Sequence, residues 1–383
     1  MIHFVKLAKA ASKVPVPPFK TPSIVWAIVI PAVTFGAMTL IYLAIHAKRQ
    51  AKLLPGWGAG RSKIVPALAF SADGRRLAAA QGAHFHVWDV DSGASVAEIN
   101  SRGWAPAPWS LALSPHGDLI AAAVLIPRTY LIRPHLHFDI VRVWRVGTGR
   151  VVQRFSDFAP LSGNLPSSVA FSPDGKWIAA GLVFQRLAAT RTHLRVWDIQ
   201  TGELISKWAR DVAGMTATRF TSQNSIAAQP LGLLSVEPPA LWNGTTGQVI
   251  QTYLGCEASL LLAFSPDAGS LAGGGVRRIC IWNVHTGKKL QQVPPPHGPL
   301  AALAFASRQS LLFAAARDGV FALNLSNGTL SRSCPVPQLV APAQFSPDGK
   351  LLAWGDSHQA VVHLWDIHAC REMREFSVAN QHK

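Results

Sequence analysis

Two histidine pairs come nearest to the spacing of a metal site. His84 and His86, and likewise His135 and His137, are separated by a single residue. Side chains at positions i and i+2 of a strand point to one face, so each pair can present two imidazoles to one ion. No third ligand follows at a fixed spacing. The sequence therefore predicts no metal site.

The segments that mark common catalytic sites are absent from the sequence. It contains no HExxH, no GxxxxGK[ST] and no GxSxG segment. Of its 20 acidic residues, four occupy predicted turns and three follow a tryptophan, namely Asp73, Asp174, Asp267, Asp348, Asp89, Asp198 and Asp366. Few carboxylates remain for acid–base chemistry. These patterns predict a protein that is not an enzyme and that holds no cofactor.

The charge of the chain is concentrated near its N-terminus. The 383 residues carry 36 basic and 20 acidic side chains, a net charge of +16. Nine basic residues and no acidic residue occur within residues 1–63, so more than half of the net positive charge lies there. A strong positive charge is one mark of nucleic-acid-binding proteins. The remaining charge is spread along the chain without a basic run interleaved with aromatics, which does not favour nucleic acid as the partner.

Residues 23–45 form an uncharged apolar segment, SIVWAIVIPAVTFGAMTLIYLAI. A helix needs about 20 predominantly apolar residues to cross a bilayer, whereas a cleaved signal peptide has an apolar stretch of only about 7–15. Trp26 and Tyr42 lie near the two ends of the segment, where aromatic side chains favour the membrane interface. A membrane helix tolerates an internal proline such as Pro31. The basic residues Lys48, Arg49 and Lys52 follow the segment and would end the span. We predict a single-pass anchor, with anionic lipid as a partner of its basic flanks.

The anchor divides the chain into five predicted parts. They are a basic tail that is either an interfacial helix or a frayed segment (1–22), a transmembrane helix (23–46), a basic juxtamembrane linker (47–63), a repeat region (64–378) and a short tail (379–383). Basic residues are nearly equal in number on the two flanks, so the positive-inside rule leaves the orientation open. Four widely spaced cysteines weakly favour a reducing compartment, and hence a cytoplasmic repeat region.

One pattern of about 40–50 residues recurs seven times from residue 65 onward. It comprises an apolar strand ending in Phe, a turn such as Ser172-Pro-Asp-Gly175, an Ala-rich strand, a strand ending in Trp-Asp, and a Gly turn. The position at the end of the third strand is occupied by Trp88, Trp144, Trp197, Trp242, Trp282, Leu323 and Trp365. The Gly that follows five residues later is present in six copies and replaced by Cys370 in the seventh. We interpret the six tryptophans as packing residues between repeats.

This pattern resembles the WD-repeat family of β-propellers over residues 65–376. The resemblance implies an all-β fold, a seven-bladed propeller of four-stranded blades, here preceded by one transmembrane α-helix. The sequence departs from the family where Trp144 precedes Arg145 and where Trp242 and Trp282 precede asparagines. The Gly-His pair before the first strand is nearly absent. The copies begin and end in phase, so no strand is left over to close the ring by pairing.

The blades differ in the length between their Phe and Trp positions. This length is 18 residues from Phe70 to Trp88 in blade one, but 31 in blade two and 26 in blade three. The resemblance implies that such insertions emerge on the face that commonly binds partners. Arg and aromatic residues are the enriched anchors of interfaces. The predicted partner-binding residues are Arg102, Trp104, Trp109, Arg128, Tyr130, Arg133, His135, His137, Phe184, Arg186 and Arg191.

These observations lead to a membrane-anchored scaffold or accessory subunit that docks a protein partner on the loops of blades two to four. One alternative is a propeller enzyme or ligand-binding protein with its site at the central channel, which requires carboxylates or histidines to converge there. A second alternative is a basic propeller that binds nucleic acid. A plain structural spacer predicts no preference for either face.

Overall fold

The structure, a computed structural model, describes residues 65–101, 106–124, 138–157, 163–185, 190–210, 214–221, 224–231, 237–256, 261–275, 277–296, 300–306, 311–336, 339, 342–356 and 360–378. The predicted anchor at 23–46, with its Trp, Tyr, Pro and basic residues, lies outside these ranges. Within them, no helix combines the length and the apolar character needed to cross a membrane. The anchor therefore stays a prediction.

Every regular element of the described residues is a β-strand. Blades one to four contain β1 (Ala67–Phe70), β2 (Arg76–Gln81), β3 (His84–Asp89), β4 (Ser95–Asn100), β5 (Pro106–Leu113), β6 (Leu119–Val124), β7 (Phe138–Arg145), β8 (Val151–Asp157), β9 (Gly163–Phe171), β10 (Trp177–Gln185), β11 (Thr190–Asp198), β12 (Leu204–Arg210), β13 (Gly214–Phe220), β14 (Ser225–Leu231), β15 (Ala240–Asn243) and β16 (Val249–Thr252). Blades five to seven contain β17 (Leu261–Phe264), β18 (Ser270–Gly274), β19 (Ile279–Asn283), β20 (Lys289–Val293), β21 (Leu300–Phe305), β22 (Leu311–Ala316), β23 (Gly319–Asn324), β24 (Leu330–Cys334), β25 (Ala343–Phe345), β26 (Leu351–Asp356), β27 (Val361–Asp366) and β28 (Arg371–Ser377).

These strands form seven separate four-stranded antiparallel sheets, each in sequence order. The first strands of neighbouring blades pack on one another all the way round, including β1 on β25, so they are innermost. The fourth strand of each blade is outermost. This arrangement is a seven-bladed β-propeller, which confirms the predicted all-β fold and the number of blades.

The hydrophobic core lies between the blades. Seven clusters of buried side chains each combine residues of two neighbouring blades, one cluster for every junction of the ring. The second strands are Ala-rich because they are covered on both sides; Ala78, Ala79 and Ala80, for example, have no exposed surface. Small side chains on both faces let neighbouring sheets approach closely, and the burial itself stabilises the ring.

Each tryptophan at the end of a third strand packs against the preceding blade. Trp144 contacts Phe85 at 4.9 Å between ring centroids, and Trp197 contacts Phe155 at 5.2 Å. Trp282 reaches Tyr253 and also donates a hydrogen bond from Nε1 to the Leu254 carbonyl at 2.9 Å. The six tryptophans are therefore packing residues.

The ring closes by side-chain packing between blades seven and one. Val65, Leu68 and Phe70 share a cluster with Val362 and other residues of blade seven. Trp88 stacks on Phe376 at 4.9 Å. Among the described strands, none is exchanged between the two blades, because β1 to β4 and β25 to β28 each complete their own sheet. This agrees with the in-phase repeats seen in the sequence.

Candidate functional site

The two faces of the ring carry different kinds of connection. In an up-and-down blade, the link from second to third strand and the link to the next blade emerge on one face, which we call the loop face. The turns between first and second strands, and between third and fourth, emerge on the other, which we call the turn face. A binding site on either face takes its character from these connections.

The turn face is built from a repeated serine–aspartate hydrogen bond. In five blades the Oγ of a buried serine donates to a carboxylate at 2.6 Å; the pairs are Ser71–Asp73, Ser114–Asp118, Ser172–Asp174, Ser265–Asp267 and Ser346–Asp348. The same Oγ accepts the N–H five residues later, for example from Trp177 at 2.8 Å. These bonds satisfy the turn internally.

The turn aspartates are held in their charged form. The hydroxyl of Ser265, followed by the Gly269 N–H, lowers the pKa of Asp267. Burial raises the pKa of Asp73, Asp174 and Asp348, but hydrogen bonds and nearby cations outweigh it, so the pKa of each lies below its usual range. Each of these carboxylates is ionised and accepts hydrogen bonds from groups of its own turn, which suits a structural role.

Asp118 joins this set although its sequence position differs. Blade two reads Ser114-Pro-His-Gly-Asp118, so its acid lies four residues after the serine and not two. The structure nevertheless places Asp118 on Ser114 at 2.6 Å. Because the spacing had changed, comparison of the repeats in the sequence missed this member of the turn set.

Among the described strands, the second and third strands of blade three form the longest hairpin on the loop face. β10 and β11 each contain nine residues and stay paired from Trp177 and Asp198 out to Gln185 and Thr190. β9 stays paired with β10 out to the pair of Gly163 with Gln185. The corresponding strands of blades one and six contain six residues each. At about 3.3 Å per residue, blade three raises an extra ~10 Å of paired sheet on this face.

The predicted partner-binding residues fall into two groups. Phe184 and Arg191 lie directly opposite each other in the β10–β11 register, and Trp109 lies on the innermost strand β5. The others lie outside the described residues, namely Arg102, Trp104, Arg128, Tyr130, Arg133, His135, His137 and Arg186. The backbone thus brings Phe184 and Arg191 together at the extended hairpin.

The walls of the central channel contain few ionisable residues. In the described ranges, the seven innermost strands hold no His, Asp, Glu, Cys or Lys, and their one charged residue is Arg219 of β13. Arg219 donates from Nη1 to the Thr218 carbonyl at 3.1 Å. These strands supply no pair of groups for acid–base chemistry.

The outer strands of blades one and seven carry histidines next to carboxylates. His86 is buried, and its Nε2 has no hydrogen-bond partner among the described residues. Burial lowers the pKa of His86, with a smaller opposing effect from Glu98 and a lowering one from His84. In blade seven, His363 lies beside Glu372 and Glu375, and these three side chains could hold a metal ion.

Two disulfides link consecutive blades. Cys256, in the connection that follows blade four, is bonded to Cys280 on β19 of blade five. Cys334, on the last strand of blade six, is bonded to Cys370 in a turn of blade seven. Cys370 has a φ of 50° because it occupies the slot that a glycine fills in the other blades. Spacing along the chain did not indicate these pairs, since their partners are 24 and 36 residues apart.

With this geometry established, the chain can be compared with known proteins. Residues 160–198 match the family described as "WD domain, G-beta repeat". They include β9, β10 and β11. The chain is a β-propeller whose third blade matches the model of this repeat family. The other blades share the same strand order, and all of them except blade six, which has Leu323, share a tryptophan at the end of the third strand.

A solved structure shares the propeller fold. The computationally designed protein Ika8, known from a crystal structure, is 19% identical to this chain with a TM-score of 0.54. The match covers 83% of this chain and 88% of the designed one. At this level of identity the likeness concerns the fold alone. No curated protein matches the sequence.

Proposed function

We propose that the protein is a membrane-anchored scaffold that docks a protein partner on the loop face of blades two to four. Propellers of WD40 repeats commonly serve as protein-interaction scaffolds and are typically not enzymes. The innermost strands, which lack acid–base pairs, fit such a role.

The extended hairpin of blade three is the observation that supports the choice of face. Its paired strands carry Phe184 and Arg191 opposite each other, and aromatic and Arg side chains are enriched among binding hot spots. A rigid sheet presents such residues at a low cost in conformational entropy. On the turn face, by contrast, five serine–aspartate pairs are hydrogen-bonded to each other.

A charge reversal tests the docking face. We expect Arg191→Glu, in the full chain purified in mild detergent, to lower recovery of the bound partner at least tenfold, since hot-spot losses of about 2 kcal/mol or more are common. The matched control is Arg317→Glu, an exposed arginine at the short hairpin of blade six on the same face. Quantitative mass spectrometry of the co-purified proteins measures both. Equal recovery in the two variants would refute the choice of blade three.

The membrane anchor is supported by the uncharged segment at 23–45 and its basic flanks. A charged residue at the centre of a spanning helix costs about 2.5–3.5 kcal/mol. We therefore expect Thr34→Arg combined with Ala37→Arg to move the protein from the carbonate-resistant membrane fraction to the soluble fraction. Lys9→Ala with Lys13→Ala, outside the segment, is the control. Retention of the arginine variant in the membrane would argue against spanning.

Sealed vesicles that contain the full chain test its orientation. Protease added to such vesicles cleaves the propeller only if it lies on the accessible side. The sequence weakly favours a cytoplasmic propeller, which predicts cleavage in inside-out vesicles and protection in right-side-out vesicles. The two disulfides between blades favour the opposite side. The reverse pattern would place it in an oxidising compartment, where disulfides persist.

A further inference from the structure

Three potential metal ligands converge on the outer part of blade seven. The Nδ1 of His363 lies 2.5 Å from an Oε1 of Glu372 and 3.6 Å from an Oε1 of Glu375. One ligand atom from each of the three lies within 4.8 Å of the other two. Ligand atoms on a tetrahedral zinc ion, with bonds of about 2.0–2.2 Å, are roughly 3.3–3.5 Å apart. Small rotations of the two glutamates bring the set to that spacing.

An irregularity in strand pairing places both carboxylates on the histidine's face. Glu375 lies directly opposite His363, and Glu372 lies opposite Trp365, two residues further along β27. Residues three apart in a regular strand point to opposite faces. The register shift between Leu364 and Trp365 adds one residue to β28, and such a bulge returns Glu372 to the face of Glu375.

The same bulge occurs in blades one to five, so the bulge alone does not create the cluster, and the residues that occupy it in blade seven are informative. A register shift beside the third-strand tryptophan is present in blades one to five, for example between Val196 and Trp197. Three positions of each blade correspond, in this order, to His363, Glu375 and Glu372. In blades one to six they are occupied by His86, Glu98, Ser95; Arg142, Arg154, Val151; Arg195, Lys207, Leu204; Ala240, Thr252, Val249; Cys280, Gln292, Lys289; and Phe321, Arg332, Leu330. Among the described strands, blade seven alone fills all three positions with metal-binding side chains.

The neighbouring residues hold the histidine in place and leave the site open. The ring of Trp354 stacks on His363 at 5.0 Å, which restricts the imidazole orientation. The His363 side chain is 17% exposed, whereas Glu372 and Glu375 are 34% and 60% exposed. A largely buried imidazole at the base and two more exposed carboxylates at the rim leave room for water as a fourth ligand.

We propose that His363, Glu372 and Glu375 bind a divalent transition-metal ion, with zinc as the representative. One imidazole and two carboxylates, with an open position, are a donor set that Zn²⁺ accepts. Ca²⁺ prefers six to eight oxygen ligands and gains little from the imidazole. A bound ion clips the outermost strand β28 to β27. Binding to the folded chain then raises its thermal stability.

Isothermal titration of the full chain with ZnCl₂, without reductant so that the cysteines stay bonded, tests the proposal. We expect one zinc ion per chain and a melting temperature that rises with zinc concentration. The variants Glu372→Gln, Glu375→Gln and His363→Gln should each weaken binding at least tenfold, since even residues that only orient metal ligands are worth about 10–100-fold. Co²⁺ in place of Zn²⁺ should give visible absorption bands that the variants lose.

The matched control is His86→Gln, which removes the corresponding histidine of blade one, where a single carboxylate faces it. This variant should bind zinc as the wild type does, and excess Ca²⁺ should not displace the zinc. The proposal is overturned if zinc fails to bind stoichiometrically, if Ca²⁺ competes equally, or if Glu375→Gln, whose side chain is largely exposed and leaves the core intact, binds zinc as well as His86→Gln does.

Discussion

Arg374 of the last strand donates a hydrogen bond of 2.6 Å from Nη2 to the backbone carbonyl of Asp91, in a turn of blade one. The two residues are 283 positions apart in the chain. The guanidinium also lies against Gly93, where a Cβ atom would come within 2.7 Å of Nη1. This contact joins the last blade to the first.

The Arg374 contact belongs to a series of contacts between neighbouring blades. A fourth-strand side chain of one blade reaches the glycine turn of the next, as Gln291 does at Gly328. At the junction of blades six and seven the glycine is replaced by Cys370, which is bonded to Cys334. The junction between blades seven and one, which closes the ring, therefore uses the long, charged side chain of Arg374. The junction between blades six and seven uses a disulfide bond.

We expect Arg374→Ala to lower the free energy of unfolding by about 1–2 kcal/mol. Hydrogen bonds from charged groups are worth about 1.5–3 kcal/mol, and partial exposure reduces this value. Urea unfolding followed by tryptophan fluorescence measures the change. Arg371→Ala, an exposed arginine on the same strand, should change stability by less than about 0.5 kcal/mol. Equal effects would mean that ring closure does not depend on Arg374.

Blade five offers a stabilising substitution. Ala268 has a φ of 56° at a turn position where Gly175 of blade three has a φ of 71°. An L-residue in this region costs roughly 1–2 kcal/mol. We expect Ala268→Gly to raise the free energy of unfolding by about 1 kcal/mol and Gly175→Ala to lower it by at least as much, as urea unfolding measures. A destabilising Ala268→Gly would show that the strain is offset by other interactions.

The serine–aspartate turns predict an effect that depends on pH. Ser172→Ala removes a donor to Asp174 and an acceptor for the Trp177 N–H, and should cost about 1–2 kcal/mol at pH 7. The pKa of folded Asp174 is lowered, so its stabilisation is complete above the usual value of 3.8 and is lost as pH falls through the folded pKa. The difference between variant and wild type should therefore shrink in acid. A difference that is constant down to about pH 2.5 would contradict this.

Buried His86 predicts a second loss of stability in acid, at a higher pH than that of the turn aspartates. Because burial lowers its pKa in the folded state, the unfolded chain binds a proton first as pH falls below about 6.5. Wild-type stability should then decrease with falling pH more steeply than that of His86→Phe, which keeps a ring beside Trp88. Urea unfolding at pH 7, 6 and 5 measures the slope. Parallel slopes would show that folding does not change the pKa of His86.

The bond between Cys256 and Cys280 should contribute measurably to stability. It closes a loop with a sequence separation of 24 residues, for which chain entropy predicts about 3 kcal/mol. We expect Cys256→Ala with Cys280→Ala to lower the free energy of unfolding by about that amount in non-reducing buffer, with no difference once reductant is added. Peptide mapping that recovers both cysteines as free thiols from the native protein would refute the bond.

Local patterns account for most of what could be predicted. The seven repeats, their strand order and the packing role of Trp88 through Trp365 depend on spacing within about 40–50 residues, which the sequence displays directly. The turn aspartates were also recognised where they follow the serine by two residues, but Asp118 was missed because its spacing differs. The partner-binding residues on the loop face were predicted from the length and composition of the insertions between second and third strands. The strand register of the structure further shows that Phe184 and Arg191 lie opposite each other.

What the tertiary structure alone decided lies where distant parts of the chain meet. A bulge is invisible in the sequence, yet it brings Glu372 and Glu375 onto the face of His363. The pairing of cysteines depends on which blade junction each occupies, and the contact of Arg374 with Asp91 exists only when the ring is closed. The amino-acid sequence by itself determined how many blades form and which side chains fill their junctions, because burial follows the two-residue period of a strand. Which polar groups meet across those junctions was decided by the closed ring, since strand register and blade packing set distances that spacing along the chain does not encode.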